Sequence, residues 1–384
     1  MQAVILAGGE GHRLRPLTRS RPKVLLPVAN RPIIDYTIES LQQNGIRDII
    51  VVAGYRKEQV VRYLNELDSN IEVVIQNKQL GTGDALKCAD GLVSDDFLLL
   101  PGDNYIGPSA VKEIKDKKNA VLVSWHPQPF NFGIVELKGK YLCGMHEKPD
   151  NVNDLPVSTG VFSLSAEIFS RLDSSGEIPD YISNMIKDGI RIEAIHTTDW
   201  LDSVYPWDLL SMNNQLIKKI SPENAGSISR NAIISGPVLI GEGTEIGPNT
   251  VIKGPVVIGD DCVIGSSTCI MPGTSIGSRV RIDPFVYLEE SLLMNDVSVG
   301  SHSRITDSVI GEGSRLADHT VTTKGEYDYE CGKYFGKTSF GAVLGDGVSS
   351  APFTVFSAAV VGNSVSIEEG RFIKGDLPDN TVVK

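Results

Sequence analysis

Short apolar runs alternate with segments of helical spacing through the first part of the chain. Ala3-Val4-Ile5-Leu6 predicts a buried first strand. Ile33 to Asn44 has helical spacing and stops at Gly45, a glycine C-terminal cap. Ile49 to Gly54 predicts a strand ending in a turn, Glu58 to Leu67 a helix and Glu72 to Ile75 a strand. Asp84 to Leu92 then predicts a helix, and Phe97 to Leu100 another buried strand. This β-α-β-α order predicts a mostly parallel sheet with helices on both faces. Ligands of such sheets bind at the carboxyl ends of the strands, where Gly8, Gly54 and Asp103 fall.

From residue 228 the rhythm changes. Isoleucine recurs at 228, 234, 240, 246, 252, 258, 264, 270, 276 and 282, and Leu288 extends the series. Glycine follows directly at 241, 247, 259, 265 and 277. A period of six fits neither a helix nor a simple strand, but it fits a coil of short strands with one inward apolar residue per face. The pattern resembles the all-β left-handed parallel β-helix of hexapeptide repeats. The register slips near Met294 to Val299, is lost between about Thr322 and Gly341, and returns as Val355, Val361, Ile367 and Ile373. Lys324 to Ser339 reads as a loop thrown out from the prism. The expected domains are residues 1–222 and 223–384, with an irregular loop about 322–341. Flat faces carrying Val256, Val257, Leu292 and Leu293 invite self-association.

A length of 384 residues suits two or three domains. The net charge of −12 argues against nucleic-acid and anionic-membrane partners. Cys88, Cys143, Cys262, Cys269 and Cys331 are odd in number and form no C-x-x-C pair. They read as reduced thiols of a cytoplasmic chain, with no zinc site or disulfide framework. No apolar run approaches membrane-spanning length, and the first strand begins without a signal segment.

The chemistry begins directly after the first strand. Gly8, Gly9 and Gly11 remove side chains where backbone must curl closely around a bulky group. Successive exposed N–H groups in such a loop suit phosphate oxygens, and Arg13, Arg15 and Lys23 add positive charge. No Gly-Lys-Ser/Thr follows, and Arg13 stands where a dinucleotide fingerprint needs its third glycine. The whole string from Gly8 to Lys23 resembles the Gly-Gly-x-Gly-x-Arg-Leu-x-Pro-Leu-Thr-x-x-x-Pro-Lys motif of the sugar-1-phosphate nucleotidyltransferases. That resemblance implies an α/β Rossmann-like catalytic domain and attack of a sugar-1-phosphate on the α-phosphorus of a nucleoside triphosphate. Such a reaction needs cations and placement more than a nucleophilic side chain.

By the same resemblance, Arg13, Lys23, Asp103, Lys148 and Asp202 are the catalytic set. Asp103 and Asp202 are the implied ligands of Mg²⁺, a hard cation suited to carboxylates, phosphate oxygens and water. Nucleotide contacts fall on Leu6, Ala7, Gly8, Gly9, Gln76, Gln79, Gly81 and Thr82. A glutamine amide both donates and accepts, which matches the N–H and carbonyls of uracil or thymine and points to UTP or dTTP. Sugar contacts fall on Gly133, Glu147, Ser158, Thr159 and Gly160, and Lys148 would neutralise the sugar phosphate. Glucose-1-phosphate and N-acetylglucosamine-1-phosphate are the expected substrate classes, although Ser158 stands where uridylyltransferases for the latter commonly carry asparagine.

The resemblance also implies a homotrimer, or a multiple of one, through the β-helix. Two alternatives stand beside the simple transferase: a bifunctional enzyme with an acetyl-CoA-dependent acetyltransferase in the β-helix, and a silent regulatory subunit. An acetyltransferase needs a base. His302 sits one place late against the Gly-His-x-x-Tyr pattern, Lys324 replaces an asparagine and Ser339 a lysine. His302 and His319 therefore read as solvent-facing.

Overall fold

A computed structural model describes residues 1–67, 71–147, 155–173, 176–331 and 334–384. The chain divides into two compact units. One comprises Met1–Gly11, Arg21–Leu25 and Pro32–Asp202, and the other comprises His12–Ser20, Leu26–Arg31 and Ser203–Lys384. The glycine-rich motif is thus shared between the two.

Nine strands form one sheet among the described residues of the first unit. They are β1 (Gln2–Ala7), β2 (Ile49–Ala53), β3 (Ile71–Ile75), β4 (Phe97–Pro101), β5 (Ala120–Ser124), β6 (Gly133–Lys138), β7 (Tyr141–Glu147), β8 (Val157–Leu164) and β9 (Glu193–His196). Their order is β3-β2-β1-β4-β8-β5-β9-β7-β6. The β3-β2-β1-β4 half is parallel, as the alternating pattern requires. The other half is mixed, with β8 antiparallel to β4 and β5 and β7 antiparallel to β6 and β9. Val4, Ile50, Val52, Phe97 and Leu99 are fully buried, which explains why these strands read as continuous apolar runs.

Helix α1 (Ile33–Gln43) buries Ile33, Ile34, Ile38 and Leu41 and gives way to Gly45 at φ +81°. Helix α2 spans Lys57–Glu66. The helix expected over Asp84–Leu92 runs instead over Thr82–Lys87, as α3. Its start is drawn forward by Glu177, which accepts the Thr82 N–H at 2.9 Å, and turns carry the chain on to Gly91 at φ +80°. Helices α4 (Pro108–Ile114) and α5 (Ile178–Lys187) complete this unit.

The second unit is a parallel β-helix with helix α6 (Asp208–Leu216). Each coil lays a short strand on the next: Ile246 pairs with Ile264 and Ile264 with Ile282, eighteen residues on each time. The inward isoleucines form one continuous core. Burial of each stabilises the coil by roughly 1.5–3 kcal/mol. The glycines after them are demanded by the neighbouring coil, since a Cβ on Gly265 would lie 2.6 Å from Pro284 N.

From Leu288 the coil shortens to seventeen residues, Ser275 pairing with Leu292 and Leu292 with Val309. The inward series becomes Leu293, Val299, Ile305, Ile310 and Leu316, with one five-residue step per coil. It is not lost at Thr322. Thr322 and Ser350 occupy inward positions, 1% and 3% exposed, and simply lack an apolar side chain. Phe356, rather than Val355, then resumes the apolar core.

The segment expected as an irregular loop is ordered. Gly325–Cys331 and Tyr334–Phe340 form an antiparallel hairpin in register from Gly325↔Phe340 to Cys331↔Tyr334. Alternating Tyr327, Tyr329 and Phe340 pack on Trp207: the rings of Trp207 and Phe340 stack at 5.2 Å, and those of Trp207 and Tyr329 lie 5.2 Å apart. Tyr327 also donates to Asp376 at 2.6 Å, and burial with that bond pushes its phenol well above the usual range.

The residues expected to carry self-association are buried, Val256 and Leu293 within the prism core. Val256, Val257, Leu292 and Leu293 are at most 3% exposed. Asn213 of α6 donates to Gly273 O at 3.0 Å, and its Oδ1 accepts from Ser275 Oγ at 2.7 Å and Ala29 N at 2.9 Å. The chain's own helix lies on this side of the prism.

Candidate active site

The crevice at the carboxyl ends of β1 and β2 exists because two glycines touch. Tyr55 N–H donates to Gly8 O at 3.0 Å. A Cβ on Gly54 would lie 2.8 Å from that same oxygen, and a Cβ on Gly8 would lie 2.6 Å from Gln76 Oε1. Gly9, by contrast, has open space around its Cβ direction. Leu6 and Ala7 pair with Val52 and Ala53 and deliver the backbone to this point. Leu6 also pairs with Pro101 of β4, so the crevice opens beside Gly102 and Asp103.

There a small charged centre forms. Lys23 Nζ lies 2.8 Å from Asp103 Oδ2 and 3.3 Å from Asp202 Oδ1. Its side chain is 10% exposed, against 35% for Asp103 and 12% for Asp202. Burial alone would lower the ammonium pKa, but the two carboxylates, Asp103 foremost, outweigh it and hold Lys23 above its ordinary value. Lys23 is therefore a cation held by the two carboxylates.

Asn104, buried and not assigned from the sequence, completes the centre. In the amide orientation that satisfies its neighbours, Nδ2 donates to Asp202 Oδ1 at 2.9 Å and to Asp103 Oδ1 at 3.3 Å, while Oδ1 accepts Trp200 Nε1–H at 3.0 Å. Its position directly after Asp103 was the available signal. The donor set is two carboxylates converging on one cation position, all oxygen, as Mg²⁺ requires. Among the described residues no cluster of three or more His, Cys, Asp or Glu side chains forms. Any remaining coordination would come from phosphate oxygens and water.

The segment expected to bind the base is tied in place by hydrogen bonds of its side chains. Gln76 Nε2 donates to Asp84 Oδ2 at 2.8 Å and Gly81 O at 3.2 Å, and Gln79 Nε2 donates to Gly8 O at 3.1 Å. Thr82 is fixed from both sides, donating from N and Oγ1 to Glu177 and accepting from Ile178 N at 2.9 Å. Gly81 sits at φ +119°, where a Cβ would meet Glu177 Oε1. Asp84 and Glu177 were missed because neither lies in a motif.

On the sugar side, strand pairing brings Gly133 opposite Glu147 and Ile134 opposite Val157. Ser158 and Phe162 then flank a bulge against β5, with Gly160 at φ +77° inside it. Gly160 N donates to Ser158 Oγ at 3.2 Å, and buried Thr159 donates to Leu122 O at 3.0 Å. The hydroxyl of Thr159 thus serves the fold. Lys148 lies outside the described residues, and Glu147 is described only as the end of β7.

Arg13 lies on a short 3₁₀ turn, His12–Leu14, within the second unit. In that unit His302 and His319 are exposed and stack between Phe285 and Phe353, with centroids 4.9, 5.2 and 4.7 Å apart. His302 sits at a coil corner with φ +59°, not on a strand.

These features define a nucleotidyltransferase-like α/β unit joined to a parallel β-helix. The nucleotidyl transferase family matches residues 2–219, and the GMPPB C-terminal domain matches residues 252–377. The chain belongs to the nucleotidyl transferase family and is a nucleotidyltransferase. It is 34% identical to a bifunctional protein GlmU of Methanococcus maripaludis, over 100% of this chain and 97% of that one. It is 31% identical to a bifunctional sugar-1-phosphate nucleotidylyltransferase/acetyltransferase of Sulfurisphaera tokodaii, over 98% of each. A Bacillus anthracis chain described as a glucose-1-phosphate thymidylyltransferase, solved with sucrose, superposes with TM-score 0.53 at 26% identity, covering 58% of this chain and 98% of that one. No helix among the described residues is long and apolar enough to cross a membrane.

Proposed function

We propose that the chain transfers a nucleotidyl group from UTP or dTTP to a glucose-1-phosphate-class or N-acetylglucosamine-1-phosphate-class substrate, in the cytoplasm, with residues 1–222 as the catalytic domain. A phosphate oxygen of the sugar substrate attacks the α-phosphorus, the bond to the β-phosphate breaks, and pyrophosphate leaves. The observation that carries this reading is the convergence of Asp103, Asp202 and Lys23 beside the Gly8 crevice. Asp103 and Asp202 would hold Mg²⁺, which when bound neutralises charge building on the phosphates. Lys23 bridges the two carboxylates, and Asn104 links them to Trp200. Arg13 and Lys23 are assigned to the leaving phosphates, Lys148 to the sugar phosphate, and Gly133, Glu147, Ser158, Thr159 and Gly160 to the sugar. Gln76 and Gln79 shape the base pocket, their Nε2 groups donating to Asp84, Gly81 O and Gly8 O. Pyrophosphate release from a panel of nucleoside triphosphates and sugar-1-phosphates tests the reading. Turnover confined to UTP or dTTP supports it, and no turnover with any pair overturns it.

A homotrimer, or a multiple of one, is proposed through a different face from Val256 and Leu292. Ile233, Val251, Cys269, Tyr287, Arg304, Val321, Val355 and Phe372 are register partners on successive coils, and none is buried. Seven of these eight are apolar or aromatic, an outward stripe that a solvated prism does not need.

The full-length bifunctional relatives favour one second reading, an added acetyltransferase. We expect little or none. Lys324 is bound to Asp307 at 2.8 Å, and His302 stacks in an exposed aromatic row between Phe285 and His319. Robust acetyl-CoA turnover with glucosamine-1-phosphate or galactosamine-1-phosphate, abolished by His302→Ala, would promote that reading.

A further inference from the structure

The amino-terminal signature leaves three positions open between Pro-Leu-Thr and Pro-Lys, filled here by Arg19-Ser20-Arg21. Two of them bond to the β-helix. Arg19 lies 3.0 Å from Asp379 Oδ2, and Ser20 donates from Oγ to Asp346 Oδ2. All four residues belong to the same compact unit, as does the whole stretch His12–Ser20.

Both carboxylates also have a task inside the coil. Asp346 Oδ1 accepts Glu312 N–H at 2.9 Å, and Asp379 Oδ1 accepts Asn363 N–H at 2.8 Å. The same corner position on other coils is filled by Asp260, Ser278, Asn295 and Asn363, each accepting one N–H from the coil before. Ser278 does this with a single hydroxyl, so one acceptor atom is enough to stitch the coils. At Asp346 and Asp379 the carboxylate brings a second oxygen, and in each case that oxygen meets the signature. The loop between them is firm: Leu17 and Thr18 are 0% and 1% exposed, and Arg19 N–H donates to Pro16 O at 3.1 Å. The next stretch is anchored in the same way, with Asn30 Nδ2 donating to Ile276 O.

We infer that Asp346 and Asp379 are positioning residues for the nucleotide loop: the β-helix fixes the Pro16–Ser20 half of the signature, and through it the turn that carries Arg13. Two of the three open motif positions, Arg19 and Ser20, thereby serve the β-helix. This rests on the transferase reading above, and its test is therefore arranged to separate the two.

Amide hydrogen exchange of the full chain reads the latch without activity. Ser20→Ala and Asp379→Asn, the latter keeping an oxygen for Asn363 N–H, are expected to speed exchange at Arg19 by about tenfold when combined, since a hydrogen bond to a charged group and an exposed ion pair are both lost. In steady state the KM for the nucleoside triphosphate should rise about three- to tenfold with kcat changed by less than about twofold. Arg19→Lys should restore most of the KM that Arg19→Ala loses, because it returns the charge. Unchanged exchange overturns the latch whatever the activity shows. Faster exchange with an unchanged KM overturns the positioning role. A wild-type chain that turns over no nucleoside triphosphate overturns the transferase reading, while the exchange result still decides the contact.

Discussion

At the scale of single residues the site is a matter of charge held in a nearly dry place. Lys23 is fixed between Asp103 and Asp202, so removing one carboxylate both deletes an implied metal ligand and leaves the ammonium less compensated. Asp103→Ala should lower pyrophosphate release by at least about a hundredfold, equivalent to roughly 3 kcal/mol of lost transition-state stabilisation. A folded variant with near-normal release would remove Asp103 from the chemistry. Gln76→Glu probes the base segment, because Gln76 Nε2 lies 2.8 Å from Asp84 Oδ2. The substitution sets two carboxylates against each other, which raises a folded-state carboxyl pKa above its unfolded value. Stability from such a group is present at low pH and lost as pH rises through the folded pKa. The variant should therefore melt below wild type at pH 8 and approach it near pH 5; a constant gap in thermal unfolding would refute this. Asp103 and Asp202 were singled out from recognisable strings, and the structure brings both to Lys23. Asn104, Asp84 and Glu177 were not, because a buried amide or carboxylate acting on a neighbour imposes no spacing in sequence.

At the scale of elements, legibility followed periodicity. The parallel half of the sheet and the first coils of the β-helix were readable because one side chain repeats at each structural step. The shortening to seventeen residues was blurred because the deleted residue falls in a corner, where no apolar side chain marks it. Val355 was mistaken for an inward residue because both it and Phe356 are apolar, and only the coil register separates them. The hairpin Gly325–Phe340 was hidden for another reason: its alternation serves a distant aromatic, Trp207, rather than the prism core. Trp207 also touches Tyr205, Tyr327 and Tyr329. Trp207→Ala should cost about 3 kcal/mol or more from lost aromatic burial, and open the hairpin first. Limited proteolysis should then cut within Gly325–Phe340 well before the coils melt. Cleavage at the wild-type rate would show that the hairpin stands without its aromatic partner.

At the scale of the whole molecule the feature that bears on assembly is one outward column of the β-helix. The column from Ile233 to Phe372 runs along successive coils and is interrupted by Arg304, whose guanidinium lies 4.4 Å from the Tyr287 ring centroid. Ile233 and Phe372 are 61% and 65% exposed. A stripe of this kind is costly in water unless another surface covers it, and closed symmetry lets one surface serve every copy. Sequence reading offered Val256 and Leu292 for association because a hexad alone does not separate them from Tyr287; the structure buries both. Val256 faces the prism core, and beside Leu292 the Asn213 of α6 bonds to Gly273 and Ser275. Light scattering of the wild-type chain at micromolar concentration should give the mass of a trimer or a multiple of it. Tyr287→Glu, which places a charge at the middle of the column and leaves the inward core intact, should shift the mass toward one chain while pyrophosphate release persists. A monomeric wild type would refute the assembly, and an associated Tyr287→Glu variant would move it to another face.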